Sequence, residues 1–211
     1  MSRALVTFAV GPEYEAMQEL ALPTLERYAA RHGWQLYTAP PHRYERPLSW
    51  LKLPAITEAL EDHDEVLWLD ADVIIVDGSL DLADAVPSRH WQALVAHHTG
   101  DGEVPNCGVW YLRPPMLPVL ERLWDMTVYL HHGWWEQAAL LELLGYRPDV
   151  RPVHLDDPTV LYAATRWLDL EWNSHESSDR HPTPRFAHAT VGPPGWRLEV
   201  LRRYALQPQP T

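Results

Sequence analysis

Residues 65–76 read Glu-Val-Leu-Trp-Leu-Asp-Ala-Asp-Val-Ile-Ile-Val, two apolar runs interrupted only by Asp70-Ala71-Asp72. The first run is short, uninterrupted and rich in β-formers, so it reads as a strand buried on both faces. A sheet with two buried faces needs helices on each side, and the preceding sequence supplies the alternation. Residues 4–10 form an apolar run that ends at Gly11-Pro12. Residues 13–32 carry helical spacing through Met17, Leu20, Leu25 and Tyr28, with Gly33 as a stop. Pro23 predicts a kink there, or two short helices. Residues 34–38 read as a second strand. Ser49 is placed to cap a helix over 50–60, with Pro54 tolerated near its first turn. Strand–helix–strand–helix–strand order implies parallel strands joined by right-handed crossovers. The fold expected is α/β and Rossmann-like, a mainly parallel central sheet flanked by helices.

The second half is less regular. Strands are expected over 92–96 and 107–112, with a Gly/His/Asp-rich loop over 97–105 between them. Helices are expected over 116–129, 135–144 and 196–204. Residues 39–47 read as loop and 207–211 as a frayed tail. With no repeat and no low-complexity linker, the 211 residues are read as one domain.

Charge narrows the partners. The net charge is −12, a field that repels nucleic acid and anionic membrane surfaces. An anionic ligand would then need a metal ion or clustered cations. No stretch has the ~20 apolar residues of a membrane span, and the start of the chain lacks signal-peptide character. The expected compartment is the cytoplasm, without membrane insertion. Cys107, the one cysteine, reads as a small buried hydrophobe. All but one of the 17 basic residues are arginine. Lys52, the exception, marks a place where arginine does not fit.

Asp70 and Asp72 sit at the carboxyl end of the third strand, the edge where open α/β sheets bind ligands. In extended backbone, residues two apart point to one side. Two carboxylates so placed repel, and a divalent cation resolves the repulsion and can then receive a diphosphate. Two chemistries use such a pair. One is phosphoryl transfer through an aspartyl-phosphate, which normally places the motif on the first strand with a lysine downstream. Here the motif is on the third strand and the lysine is upstream. The other is glycosyl transfer from a nucleotide-sugar.

Trp50-Leu-Lys52-Leu-Pro-Ala-Ile56, followed by Val66-Leu-Trp-Leu-Asp70-Ala-Asp72, resembles the galactosyl- and xylosyltransferase family of GT-A fold. That family includes plant xyloglucan xylosyltransferases and fungal mannan and galactomannan galactosyltransferases. Three further segments match in order: Asn106-Cys-Gly108, Trp135-Glu136-Gln137, and Phe186-Ala-His188. The likeness runs from about residue 4 to 204. Two departures stand out. Trp135 occupies the place of a second acid, and residues 192–195 replace a lysine segment. Arg197 follows, either as a substitute for that lysine or as a structural residue.

The resemblance implies a retaining glycosyltransferase that moves a hexose or pentose from a nucleotide-diphosphate sugar, UDP-linked. The acceptor would be a glycan, peptide or small molecule. It implies Mn²⁺ or Mg²⁺ held by Asp70, Asp72 and His188. Thr7, Ala9, Val10 and Gly11, with Asp70, Ala71 and Asp72, would receive the nucleotide. Lys52 would meet diphosphate or sugar, and Asn106, Glu136 and Gln137 would surround the transferred sugar. Trp134 and Trp135 would offer an acceptor platform, while Trp34, Trp68 and Trp110 belong to the core. The pairs His97-His98 and His131-His132 read as solvated loop histidines. The alternative reading is a catalytically weak sugar-nucleotide-binding module acting as a partner or regulator.

Overall fold

A computed structural model describes residues 1–39, 45–193 and 195–207. Residues 40–44 of the expected loop, residue 194 of the 192–195 segment and residues 208–211 of the expected tail lie outside the described residues.

Strand β1 (Arg3–Val6) leads through Gly11 into helix α1 (Pro12–His32), which returns to β2 (Gln35–Tyr37). Helix α2 (Lys52–Asp62) then delivers β3 (Glu65–Leu69). Both β2 and β3 pair with β1 in parallel, as the alternation predicts. After the short β4 (Val73–Ile75) come β5 (Gln92–Thr99), β6 (Gly102–Leu112) and, later, β7 (Thr165–Trp167). The main sheet has the order β2-β1-β3-β6-β5-β7. Only β6 runs against the rest, antiparallel to both β3 and β5.

The apolar alternation along β3 builds two cores. Val66 and Trp68 face α2, α3 (Leu117–Asp125) and α4 (Trp135–Leu144). Leu67 and Leu69 face α1 and α6 (Trp196–Ala205). Strand residues alternate faces, so a strand covered on both sides must be apolar at every position. This is why residues 66–69 carry no polar side chain.

A second sheet, β4-β9-β8, lies beside the first, formed by β8 (Ser174–His175) and β9 (Phe186–His188) with β4. The short helix α5 (Val160–Ala163) precedes β7. Among the described residues no helix is long and apolar enough to cross a membrane.

Four expectations need correction. Pro23 does not divide α1 into two short helices; one helix runs from Pro12 to His32. Met17, Ala21, Leu25 and Tyr28 bury one face of it, and that packing outweighs the local proline penalty. Ser49 does not cap α2: it lies inside a 3₁₀ turn (Leu48–Leu51), and its hydroxyl is buried without a partner. Residues 97–105 are not a loop, because β5 and β6 continue through them as a hairpin that turns at 100–101. The helix expected over 116–129 is shorter, with α3 flanked by 3₁₀ turns at Pro114–Met116 and Thr127–Tyr129.

Candidate functional site

A cavity of about 790 Å³ opens at the carboxyl ends of β1 and β3, within the usual range for small-molecule sites. Asp70 and Asp72 enter it, but not through extended alternation. The Val73 amide donates to the Asp70 carbonyl at 3.0 Å, and the Asp70 amide donates to Gly108 at 2.8 Å. The acids therefore lie on a tight turn pinned to β6. The extended backbone expected through the pair is replaced by this turn because β4 leaves for the second sheet.

That departure brings in the histidine. Register in the β4–β9 pair sets Val73 opposite His188, so Asp72 and His188 become neighbours. His188 Nε2 lies 3.2 Å from Asp72 Oδ1, and Arg197 holds Asp72 Oδ2 at 2.5 Å. Burial opposes the Asp72 carboxylate, but His188 and Arg197 outweigh it and hold its pKa below the ordinary value. Arg197 is thus the cation standing on this acid.

Lys52 is 5% exposed. Its ammonium lies 2.9 Å from Asp70 Oδ1 and 3.0 Å from Glu136 Oε1. Trp68 Nε1 donates to the same Asp70 oxygen at 2.7 Å. Burial works against the ammonium, yet the two carboxylates keep its pKa well above the ordinary lysine value. Glu136 sits at the start of α4. It is buried, its pKa is raised by that burial, and its Oε2 has no partner. Cys107 lies against Lys52, and burial pushes its thiol up to about 12, so it stays protonated.

A chain of amides ties these groups together. The backbone N–H of Gly108 donates to Asn106 Oδ1 at 2.8 Å, which fixes that amide's orientation. Asn106 Nδ2 then donates to Gln137 Oε1 at 3.0 Å. Asn173 Nδ2 donates to Asn106 Oδ1 at 2.9 Å, leaving Asn173 Oδ1 to accept from His188 Nδ1–H at 2.9 Å. His188 Nε2 is thereby turned toward the acids, an orientation that suits a metal ligand. Asn173 is fully buried. Nothing in its local sequence distinguishes it, and the sequence reading misses it.

Gly108 makes this arrangement possible. A Cβ there would lie 2.2 Å from His188 Cε1. Gly108→Ala is expected to displace the ring, to cost roughly 1–3 kcal/mol of stability as overpacking does, and to weaken divalent-metal binding. Urea unfolding and a Mn²⁺ titration check both effects.

Asp70, Asp72 and His188 offer ligand atoms that all lie within 4.8 Å of one another. Two carboxylates and one correctly turned imidazole suit Mn²⁺, or Mg²⁺ as a harder alternative. The donor set fits the implied ion.

The remaining sequence candidates divide. Ala9, Val10 and Ala71 line the cavity, together with Phe8 and Tyr14. Thr7 and Gly11 do not line it: Thr7 is buried and Gly11 precedes α1 with φ 93°. Trp134 and Trp135 both line it. Arg151 lies over the Trp134 ring, while Trp135 remains 45% exposed with φ 44°. That left-handed backbone is strained for a bulky residue, and it sits immediately before Glu136. His97 is not a solvated loop residue: it is 1% exposed, on β5, and lines the cavity.

The profile of the galactosyl transferase GMA12/MNN10 family matches residues 24–134. No curated protein matches the chain. Among solved structures it is similar to a glycosyltransferase involved in glycosylation of the major capsid of PBCV-1. That match has 16% identity and TM-score 0.70, covering 96% of this chain and 100% of that one. It is also similar to glycosyltransferase GlyE of Streptococcus pneumoniae TIGR4, with 17% identity and TM-score 0.63. There 99% of this chain spans 61% of the other. Galactosyltransferase LgtC, solved with donor and acceptor sugar analogs, matches at 14% identity and TM-score 0.57 over 95% of each chain. The shared architecture is the GT-A fold.

Proposed function

The chain belongs to the galactosyl transferase GMA12/MNN10 family, and from that premise we propose a metal-dependent, retaining glycosyltransferase whose 211 residues act as one domain. It moves a hexose or pentose from a UDP-linked sugar to a hydroxyl acceptor. The observation that carries the reading is the convergence of Asp70, Asp72, His188, Lys52, Glu136 and Gln137 on one cavity.

Asp70, Asp72 and His188 hold the divalent cation, which when bound supplies positive charge to the diphosphate. Lys52 adds a fixed ammonium on the same side, charged throughout the neutral range. Asn106 orients Gln137 and keeps one amide hydrogen for the sugar. In the transfer, the bond from the anomeric carbon to the diphosphate oxygen breaks. The acceptor oxygen bonds to the same face, and its proton passes to the departing diphosphate. The protein then needs no base on the opposite face. The Glu136 oxygen without a partner and the Gln137 amide oxygen support the positive charge developing on the sugar ring.

Release of UDP from UDP-galactose or UDP-glucose in Mn²⁺, with and without an acceptor panel, tests the activity. Saturable binding with no turnover would leave only a sugar-nucleotide-binding module. An α-linked donor is expected to give an α-linked product, read from the anomeric proton by NMR; a β-linked product discards retention and the roles given to Glu136 and Gln137. Gln137→Ala is expected to lower kcat more than donor affinity, because its help is needed mainly in the transition state.

A further inference from the structure

His97 on β5 and His175 on β8 stack face to face, with ring centroids 3.4 Å apart and planes 10° apart. The His175 ring in turn meets the edge of His188. Both line the cavity and both are buried, His97 at 1% and His175 at 8% exposure. Yet neither ring nitrogen of His97 has a hydrogen-bond partner, and nor does Nε2 of His175. Asp179 Oδ2 lies 3.5 Å from His97 Nδ1. Buried polar atoms left unpaired lose their hydration with nothing in return, so the site is built for something that pairs them.

The chemistry of the partner follows from the state of the rings. Burial pushes His97 down to about 3, so that ring is neutral. A neutral imidazole presents one N–H and one lone pair. A hydroxyl, which both donates and accepts, complements it. A phosphate or carboxylate does not, because the His97 ring offers no positive charge and Asp179 adds a negative one. The group of side chains placed to share a metal ion, Asp70, Asp72 and His188, includes neither ring.

The position within the cavity identifies which hydroxyls. Along β6, Gly108 holds the Asp70 turn and Asn106 holds Gln137. The next inward-facing residue is Val104, and His97 is its register partner on β5. The His pair therefore lies one step along the wall from those amides, with His175 against the His188 ring. Thr99, Ser177 and Ser178 continue the same wall toward the mouth.

We propose that His97 and His175 form the acceptor subsite, recognising a neutral, hydroxyl-rich sugar through the unpaired nitrogens of their stacked rings. This rests on the glycosyl-transfer reading above. The test uses the whole protein and methyl glycosides of mannose, galactose, glucose and xylose, with UDP–Mn²⁺ titrated separately. At least one glycoside is expected to shift the ring ¹H–¹⁵N signals of His97 and His175 in the unmutated protein. His97→Phe keeps the stacked ring and removes both nitrogens. It is expected to raise that glycoside's Kd about tenfold or more, the scale of a lost buried hydrogen bond, with UDP–Mn²⁺ affinity within about twofold of the original. The proposal is overturned if no glycoside moves the rings, if only a nucleotide-sugar does, or if His97→Phe binds the glycoside unchanged. Glycoside binding at these rings in a protein that takes no nucleotide-sugar would support the sugar site and count against the donor reading alone.

Discussion

Asp72→Asn is expected to abolish the Mn²⁺-dependent part of nucleotide-sugar binding and to lower kcat/KM by roughly 10³-fold. The estimate takes the upper end of the loss seen when one group stabilising developing charge is removed, since this change removes a ligand and a charge together. Asp72 is 5% exposed and faces His188 on one oxygen and Arg197 on the other. Asparagine keeps the shape, but Arg197 loses its counter-charge and His188 loses a carboxylate neighbour. Breaking a buried pair from one side costs about 3–5 kcal/mol; the Arg197 bond to the Ala189 carbonyl offsets part of this. A thermal-shift assay with UDP-galactose, with and without Mn²⁺, reads the outcome. Ligand at 100 times its Kd stabilises by about 2.7 kcal/mol. An Asp72→Asn protein that still gains stability only when Mn²⁺ accompanies the donor would remove this residue from the metal site.

Lys52→Met should cost kcat/KM roughly 10²–10³-fold and also destabilise the fold. The ammonium is the shared partner of Asp70 and Glu136, at 2.9 and 3.0 Å. Without it two carboxylates face each other across a buried gap, one of which, Glu136, already has a raised pKa. Glu136 will take up a proton in the variant, so the loss of stability should shrink at mildly acidic pH while the loss of activity persists. Lys52→Arg is expected to fail as well. The planar guanidinium is wider than an ammonium, and Trp68, Cys107 and Glu136 close the space around Nζ. Full activity in the arginine variant would mean that the single lysine of this chain is there by chance.

Much of this site was legible before the structure. Asp70-Ala71-Asp72 stood out because two acids between apolar runs have no ordinary reason to be there. Lys52 stood out because the chain otherwise uses arginine, and burial between two carboxylates supplies the reason. The parallel pairing of the first three strands followed from their alternation with helices. His188, Asn106, Glu136 and Gln137 were reached only through a family likeness, because a single histidine, amide or acid carries no local signal of its role.

What escaped the sequence is what depends on contacts between distant segments. Helix α1 passes through Pro23 because its buried face is fixed by the sheet, a term that no local propensity contains. His97 reads as a loop histidine until β5 and β6 extend past it as one hairpin and bury it. Asn173 is an unremarkable amide until β8 and β9 bring it between His188 and Asn106.

The sequence by itself determined the layered α/β plan, the acid pair at a strand end and the need for a cation beside it, because periodicity and charge are local properties of the chain. Only the tertiary structure decided that the acids sit on a turn, that Arg197 stands on Asp72, that an amide chain aims His188, and that two buried histidines keep unpaired ring nitrogens in the cavity wall. Each of these is set by the register of strands far apart in sequence, where a slip of one residue would turn the side chains to the opposite face.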